Sequence, residues 1–263
     1  KIIAKIENQE GVDNIDDILE HVYGVMVARG DLAIEIPYAK IPGIQRMLIN
    51  KCIQSRKPVI IATQMLHTMI DNPRPTRAEV NDIASAIYNQ TDAIMLSGET
   101  AYGDYPIEAV RTMTNVAIEV EKTKEVMNDI PVVIINNEVS GFLCKSAVEA
   151  SIRLDTKALI ADSTSGRTIR SLSAYRGAKT IYAHCYTRRT MRELALSYGV
   201  YSVYMEPRDT SHEFLLDALT GLLDRHTFEP EDRIVVIAGN FGRGYGASYI
   251  EIGTVSNLIG HLS

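Results

Sequence analysis

The stretch GVMVARGDL, residues 24–32, decides the fold class. Its first five residues form a continuous apolar run, which is typical of a parallel strand covered on both faces. Arg29 and Asp31 follow where the run ends. Functional groups of parallel α/β proteins gather at the carboxyl ends of their strands. The stretch therefore predicts a parallel α/β fold with a site at the rim of its sheet.

The same unit of apolar strand, polar cluster and amphipathic helix occurs four times in the first half of the chain. The other strands are predicted within KIIAKIE, PVIIATQM and AIMLSGET, at residues 1–7, 58–65 and 93–100. The helices are predicted within residues 13–22, 38–57, 76–90 and 105–127. Four units are half of what a closed (β/α)8 barrel needs. The first half is thus either an open sheet or the second half of a TIM-type barrel.

After a weakly structured stretch near 128–139, the second half alternates strands and helices again. Strands are expected at 157–163, 180–186, 200–206, 233–240 and 247–255, and helices at 140–154, 166–176, 188–199 and 211–226. This order predicts an open, mostly parallel sheet with helices on both faces and an antiparallel strand at one edge. We place the domain boundary between a partial barrel at 1–133 and an α/β domain at 134–263.

Composition excludes several classes of protein. The chain of 263 residues is 46% hydrophobic with a formal net charge of -6, and it has neither an apolar run long enough for a membrane span nor a basic, aromatic-rich patch for nucleic acid. Cys52, Cys144 and Cys185 lie far apart without metal-ligand spacing, so we interpret them as reduced core thiols of a cytoplasmic protein. The chain starts at Lys1 inside a strand, which leads us to expect a piece of a longer protein.

Lys5, Glu7 and Asp31 form the first candidate site. Lys5 and Glu7 point to the same side because successive strand residues alternate faces. Two carboxylates at neighbouring strand ends suit a hard divalent cation such as Mg²⁺, and a nearby Lys can neutralise a transferring phosphoryl group. A structural ion pair at the strand rim explains the same residues equally well.

Two further strand ends carry polar groups. Thr63 offers a hydroxyl to a substrate or caps a helix, and Ser97 and Glu99 follow the fourth strand. In the loop between these two strands, Thr76 and Glu79 have the T-x-x-E spacing of a capping box.

DSTSGRT, at residues 162–168, follows a strand and opens a helix in the second half. This stretch places hydroxyl side chains and a glycine at the start of a helix, as a phosphate-binding loop does. A capped helix start explains the same residues equally well. The candidate phosphate ligands are Ser163, Thr164, Ser165, Gly166, Arg167 and Thr168, together with Arg243 of the loop GNFGRGYG at 239–246.

Five segments resemble the pyruvate kinase family in order and spacing. They are KIIAKIENQEGV, GVMVARGDLAIEIP, PVIIATQML, NPRPTRAEVNDIA and DAIMLSGETAYGDYP. The resemblance spans residues 1–127, and the second half resembles the C-terminal regulatory domain of that family. A metal-dependent aldolase would share the enolate chemistry, but the PRPTRAE and LSGET segments argue against it.

The resemblance implies phosphoryl transfer from phosphoenolpyruvate to ADP, giving pyruvate and ATP in glycolysis. Lys5 would face the phosphoryl group and the enolate, Glu7 and Asp31 would hold Mg²⁺ or Mn²⁺, and Thr63 would serve the proton step. The remaining implied roles are substrate binding by Ala28, Arg29, Gly30, Asp31 and Thr63, and a water relay through Ser97 and Glu99.

The resemblance also implies features beyond this chain. DSTSGRT resembles a loop that grips a phosphate of a sugar-bisphosphate activator, although FGRGYG departs from the family pattern and leaves the effector open. The parent enzyme would be a tetramer that uses K⁺ at a site outside these residues. Because the chain begins near the fifth barrel strand, we expect the isolated polypeptide to be inactive. The alternative is a non-catalytic module that binds sugar phosphates and oligomerises.

Overall fold

The computed structural model describes residues 1–123, 131–132, 138–239 and 246–260. The chain divides into two compact units, Lys1–Glu125 and Val126–Ser263. The domain boundary expected between 133 and 134 lies outside the described residues and stays a prediction.

The first unit contains a four-stranded parallel sheet. Its strands are β1 (Ile3–Ile6), β2 (Gly24–Ala28), β3 (Val59–Ala62) and β4 (Ala93–Met95). They pair in the order β1-β2-β3-β4. A strictly sequential order is that of a (β/α)8 barrel, whereas a doubly wound sheet reverses its order at a switch point. The expected fold class of four βα units is confirmed.

The helices of the first unit follow the expected strands with two differences. They are α1 (Gln9–Asp13), α2 (Ile15–His21), α3 (Arg29–Glu35), α4 (Ile41–Gln54), α5 (Arg77–Tyr88), α6 (Gly98–Ala101) and α7 (Pro106–Thr123), with 3-10 turns η1 (Tyr38–Lys40) and η2 (His67–Ile70). The helix expected at 13–22 is α2, and the short helix α1, which ends just before it at Asp13, was not predicted. The short helices α3 and α6 were not predicted, because neither is long enough to display a hydrophobic period.

Burial distinguishes the central strands from the edge strands. Val25, Val27 and Ile61 of β2 and β3 have no exposed surface, while β1 and β4 are mostly half-buried. β1 and β4 are therefore less covered than the two strands between them. Among the described residues β1 and β4 each pair on one side only, so the other edge of each is open.

The capping box predicted from T-x-x-E begins α5. The Thr76 hydroxyl accepts from the Glu79 N–H, and the Glu79 carboxylate accepts from the Thr76 N–H at 2.8 Å. The other Glu79 oxygen accepts from the Thr68 N–H at 2.7 Å. One side chain therefore fixes both the start of the helix and the turn before it.

We expect Glu79→Gln to lower the free energy of unfolding by about 1–2 kcal/mol at pH 7, because an amide cannot accept at both ends. Burial raises the pKa of Glu79, but the hydrogen bonds from Thr68 and Thr76 outweigh burial and leave it below its usual value. The stabilisation is thus present above a pH of about 4.3 and is lost as the pH falls through the lower folded pKa. Urea denaturation followed by circular dichroism at both ends of that range measures it.

Glu108→Gln is the matched control for this prediction. Glu108 is an exposed acidic residue in the first turn of α7. It is expected to contribute only a few tenths of a kcal/mol through the helix dipole. A Glu79→Gln loss as small as that of the control, or one that does not shrink at low pH, would contradict the prediction.

The second unit contains a five-stranded sheet of order β7-β6-β5-β8-β9. Its strands are β5 (Ala158–Ser163), β6 (Thr180–Cys185), β7 (Val200–Tyr204), β8 (Arg233–Ala238) and β9 (Tyr249–Thr254), and its helices are α8 (Glu138–Arg153), α9 (Arg167–Ala174), α10 (Arg188–Leu194), α11 (Ser211–Asp224) and α12 (Val255–Gly260). All neighbours pair in parallel except β8 and β9, so the antiparallel edge strand is confirmed. The terminal helix α12 was not predicted.

Two hydrophobic clusters cover the two faces of this sheet. Leu159 and Ala161 of β5 pack in one cluster with residues of α8 and α9, whereas Ala158 and Ile160 pack in the other with residues of α11. This division follows from the period of two along a strand. The prediction of helices on both faces is confirmed.

The three cysteines form no disulfide and are buried, as expected. Within the described parts of the chain, no helix is both long and apolar enough to cross a membrane.

Candidate functional site

Lys5 brings the carboxylates of Glu7 and Asp31 together at the carboxyl ends of β1 and β2. Its ammonium forms an ion pair with Glu7 and lies 2.9 Å from Asp31 Oδ2. The three side chains are 44–46% exposed, so the cluster is open to solvent. Hydrogen bonds to Glu7 and then to Asp31 raise the pKa of Lys5, which keeps it an ammonium at neutral pH.

The pair of carboxylates fits a magnesium ion. A single cationic group, the Lys5 ammonium, contacts both carboxylates, so one cation can be shared between them. No group of three or more His, Cys, Asp or Glu side chains suited to a metal occurs in the residues that the structure describes. Magnesium is commonly held by one or two carboxylates, with water and substrate oxygens completing its shell. Two carboxylates therefore suit Mg²⁺ or Mn²⁺, which can take their other ligands from water and substrate. They are too few for an ion that takes all its ligands from the protein.

The end of β2 contacts the end of β3 through a backbone donor. Gly30 N–H, in the first turn of α3, donates to Thr63 Oγ1 at 2.9 Å. A Cβ on Gly30 would lie 3.4 Å from that oxygen. A ligand carboxylate that binds at the start of α3 would therefore share or replace this hydrogen bond.

The Arg29 side chain points away from the open cluster. Its Nη1 donates to Asp82 Oδ1 at 2.6 Å, and its Nη2 donates to the Thr63 carbonyl at 2.8 Å and contacts the Met65 sulfur. The side chain is only 11% exposed. These contacts engage the Arg29 side chain within the protein.

Thr63 and Gln64 both adopt left-handed backbone conformations, with φ of 68° and 57°. Such a conformation costs about 1–3 kcal/mol for a residue that is not glycine. The turn persists because Arg29 holds the Thr63 carbonyl while Gly30 holds its hydroxyl oxygen. Since Thr63 Oγ1 accepts in that bond, its own proton remains to be donated to a ligand.

Glu99 is buried beneath this rim, where it is only 2% exposed. Its Oε1 accepts from Leu66 N–H at 3.1 Å, and its Oε2 accepts from Ser97 N–H at 2.8 Å. Ser97 precedes α6 and is half-buried. With both carboxylate oxygens bound to backbone donors, this geometry favours a structural role for Glu99 over the expected water relay.

In the second unit, Ser163 and Gly166 form the turn between β5 and α9. Gly166 has φ of 79° and its N–H donates to Ser163 Oγ at 2.7 Å. Ser163 is buried, so it shapes the turn, while Thr164, Ser165 and Arg167 are exposed around it. Thr168 is half-buried in the first turn of α9. Arg243 lies outside the described residues, and so do most residues of its loop.

Several partners in both units could not be found by sequence reasoning. Asp82 of α5 binds Arg29 from 53 residues away, and nothing distinguishes it from other polar helix residues. In the second unit, the Tyr186 hydroxyl donates to Asp162 Oδ2 at 3.0 Å. Burial raises the pKa of Asp162, against the opposing effect of that hydrogen bond.

Both units are similar to known proteins. A family model described as pyruvate kinase, barrel domain, matches residues 1–110, and one described as pyruvate kinase, alpha/beta domain, matches residues 142–252. The chain is 46% identical over 263 residues to a pyruvate kinase of Borreliella burgdorferi, covering 98% of this chain and 55% of that protein. It is 42% identical over 264 residues to one of Bacillus licheniformis, covering 98% and 45%.

A solved structure agrees with these relatives. The crystal structure of a pyruvate kinase from Cryptosporidium parvum superposes with a TM-score of 0.89 at 35% identity, covering 97% of this chain and 51% of that one. The chain thus spans about half the length of the relatives it matches. Two family models for successive domains and relatives along nearly its whole length lead to one conclusion: this chain belongs to the pyruvate kinase family.

Proposed function

We propose that this chain contributes to an active site that transfers the phosphoryl group of phosphoenolpyruvate to ADP, giving pyruvate and ATP. The observation that carries the proposal is the meeting of Lys5 with Glu7 and Asp31 at adjoining strand ends, in a chain of this family. These are the charges that phosphoryl transfer requires, because its catalysis is mostly positioning and electrostatic stabilisation.

Glu7 and Asp31 would hold the divalent cation, Mg²⁺ or Mn²⁺. When bound, the cation would neutralise charge on the phosphoryl group and on the enolate oxygen. Lys5 contacts the same two carboxylates, so its ammonium lies beside the groups that would hold the cation. The ammonium would face the phosphoryl group as that group leaves the enol oxygen for ADP.

In this proposal, Thr63 donates the proton that converts the enolate to pyruvate. After the phosphoryl group has left, the enolate takes a proton at its methylene carbon to become pyruvate. The Thr63 hydroxyl accepts from Gly30 N–H and keeps its own proton for donation. Ser97, at the end of β4, is the relay residue that would resupply that proton through water. The backbone of Ala28 to Asp31 would hold the substrate carboxylate.

The second unit would bind a phosphate of an effector at the turn after β5. The exposed side chains of Thr164, Ser165 and Arg167 support this proposal, as does the left-handed Gly166 that shapes the turn. We also propose that the parent enzyme uses K⁺ at a site outside these residues. We propose further that it assembles as a homo-oligomer. The three cysteines, none of which forms a disulfide, support a cytoplasmic location.

The test uses a chimera in which this chain replaces the stretch that it matches in the Borreliella burgdorferi relative. We expect the chimera to form pyruvate from phosphoenolpyruvate and ADP with Mg²⁺, as measured by coupled NADH oxidation. The 263-residue polypeptide assayed alone is expected to form none. A folded chimera without activity would overturn the proposal. Calorimetric binding of sugar phosphates without any activity would favour the alternative of a non-catalytic module.

A further inference from the structure

We propose that Glu99 is a positioning residue that holds the turn carrying Thr63 against the strand end carrying Ser97. This inference rests on the proposed function of Thr63 and Ser97. Glu99 would act by holding backbone N–H groups in place, and it would not contact the substrate.

The two donors that Glu99 satisfies belong to different strand ends. Leu66 lies three residues after Thr63, in the segment that follows β3, and Ser97 follows β4. The same two segments are joined again where Asp104 N–H donates to the Ile70 carbonyl at 2.8 Å. The segment after β3 and the segment after β4 are therefore fixed to each other at two points.

Glu99 completes the support of a strained turn. The near end of the turn, at Thr63, is held by Gly30 and Arg29. Its far end, at Leu66, is held by Glu99, and Leu66 itself has no exposed surface. Two successive left-handed residues relax readily unless both ends are fixed, because their conformation is unfavourable by itself. Loss of the Glu99 acceptor would therefore shift the Thr63 hydroxyl.

The carboxylate is required because it accepts at both oxygens. A Gln of the same size offers one oxygen and one NH₂ group, so one of the two backbone N–H groups would face a donor. An unsatisfied buried donor costs about 1–3 kcal/mol, and the segment would move to avoid it. Displacement of a reacting group by about 1 Å can cost about 100-fold in rate.

The first test measures Glu99→Gln in the chimera, alone and with Thr63→Ala. We expect Glu99→Gln to lower kcat by about 10- to 100-fold with little change in the KM for phosphoenolpyruvate. In the Thr63→Ala background the same change should cost less than about threefold, because Glu99 acts through Thr63. An unchanged kcat, or an equal loss in both backgrounds, would overturn the proposal.

Glu79→Gln is the matched control. Glu79 also accepts from two backbone N–H groups, those of Thr68 and Thr76, but it holds neither Thr63 nor Ser97. It should destabilise the chimera and leave kcat within about twofold. If Glu99→Gln does not fold, Glu99→Asp, which keeps the charge on a shorter side chain, takes its place in the same cycle.

A second measurement separates this inference from the proposed function. Amide hydrogen exchange of the chimera should show that Glu99→Gln reduces protection at Leu66 and Ser97 and spares Thr68, with the reverse pattern for Glu79→Gln. If the unmodified chimera forms no pyruvate, the proposed function fails whatever the exchange pattern is. If it is active but Leu66 and Ser97 keep their protection in Glu99→Gln, the positioning role fails alone.

Discussion

Replacing Lys5 with Met in the chimera is expected to lower kcat for pyruvate formation by about a thousandfold. The ammonium contacts two carboxylates at the rim of the sheet and is the cationic side chain of this cluster. Loss of one group that stabilises developing charge typically costs about 100- to 1,000-fold. Because the interaction strengthens in the transition state, kcat and kcat/KM should fall together. Steady-state kinetics over a range of phosphoenolpyruvate concentrations measure both.

Lys122→Met is the control for this loss. Lys122 lies in the last turn of α7, where it pairs with Glu119 on an exposed surface. Its removal should change stability by a few tenths of a kcal/mol and leave kcat unchanged. A Lys5→Met chimera that retains more than about a tenth of the kcat would mean that Lys5 forms only a structural ion pair.

Replacing Glu7 with Gln is expected to raise the Mg²⁺ concentration needed for half-maximal activity by at least about 100-fold. This substitution removes a metal ligand itself. Mutation of groups that only orient the ligands already lowers metal affinity by about 10- to 100-fold. Asp31 alone would then hold the cation, so excess Mg²⁺ or Mn²⁺ should restore part of the activity. Titrating each metal into chelator-treated chimera measures the shift.

Glu10→Gln provides the comparison, since Glu10 is an exposed carboxylate three residues further along the chain. The Glu10→Gln substitution removes the same charge without touching the cluster. The Mg²⁺ dependence of this variant should therefore match that of the unmodified chimera. Equal metal dependence of the Glu7 and Glu10 variants would show that Glu7 does not bind the cation and would leave Asp31 to be tested by itself.

Much of the fold was predictable because both sheets follow simple periodic rules. The apolar runs identified each strand in the part of the chain that the structure describes, and T-x-x-E identified the start of α5. Helix α1, before the helix expected at 13–22, was not predictable, since its five residues are too few to display a hydrophobic period. The apolar runs by themselves do not distinguish edge strands from central ones, because an apolar run looks the same at the edge of a sheet and at its centre.

The candidate site was predictable only where it depends on alternation within a strand. Lys5 and Glu7 share a face because they are two residues apart, and the structure pairs them. The links from Asp82 to Arg29 and from Glu99 to Leu66 join residues 53 and 33 positions apart, and no local pattern indicates such pairs. The left-handed Thr63 runs against expectation, since a branched side chain disfavours that conformation.

The left-handed turn at Thr63 and Gln64 has a consequence for evolution. Glycine would adopt both conformations without strain, and a protein selected for stability alone would gain from glycine there. Glycine at the first position would also remove the hydroxyl, and at the second it would let the turn sample other shapes. Mutations that stabilise this corner are therefore expected to be among those that selection for turnover removes. At this turn, a gain in protein stability would therefore come at the expense of catalytic rate.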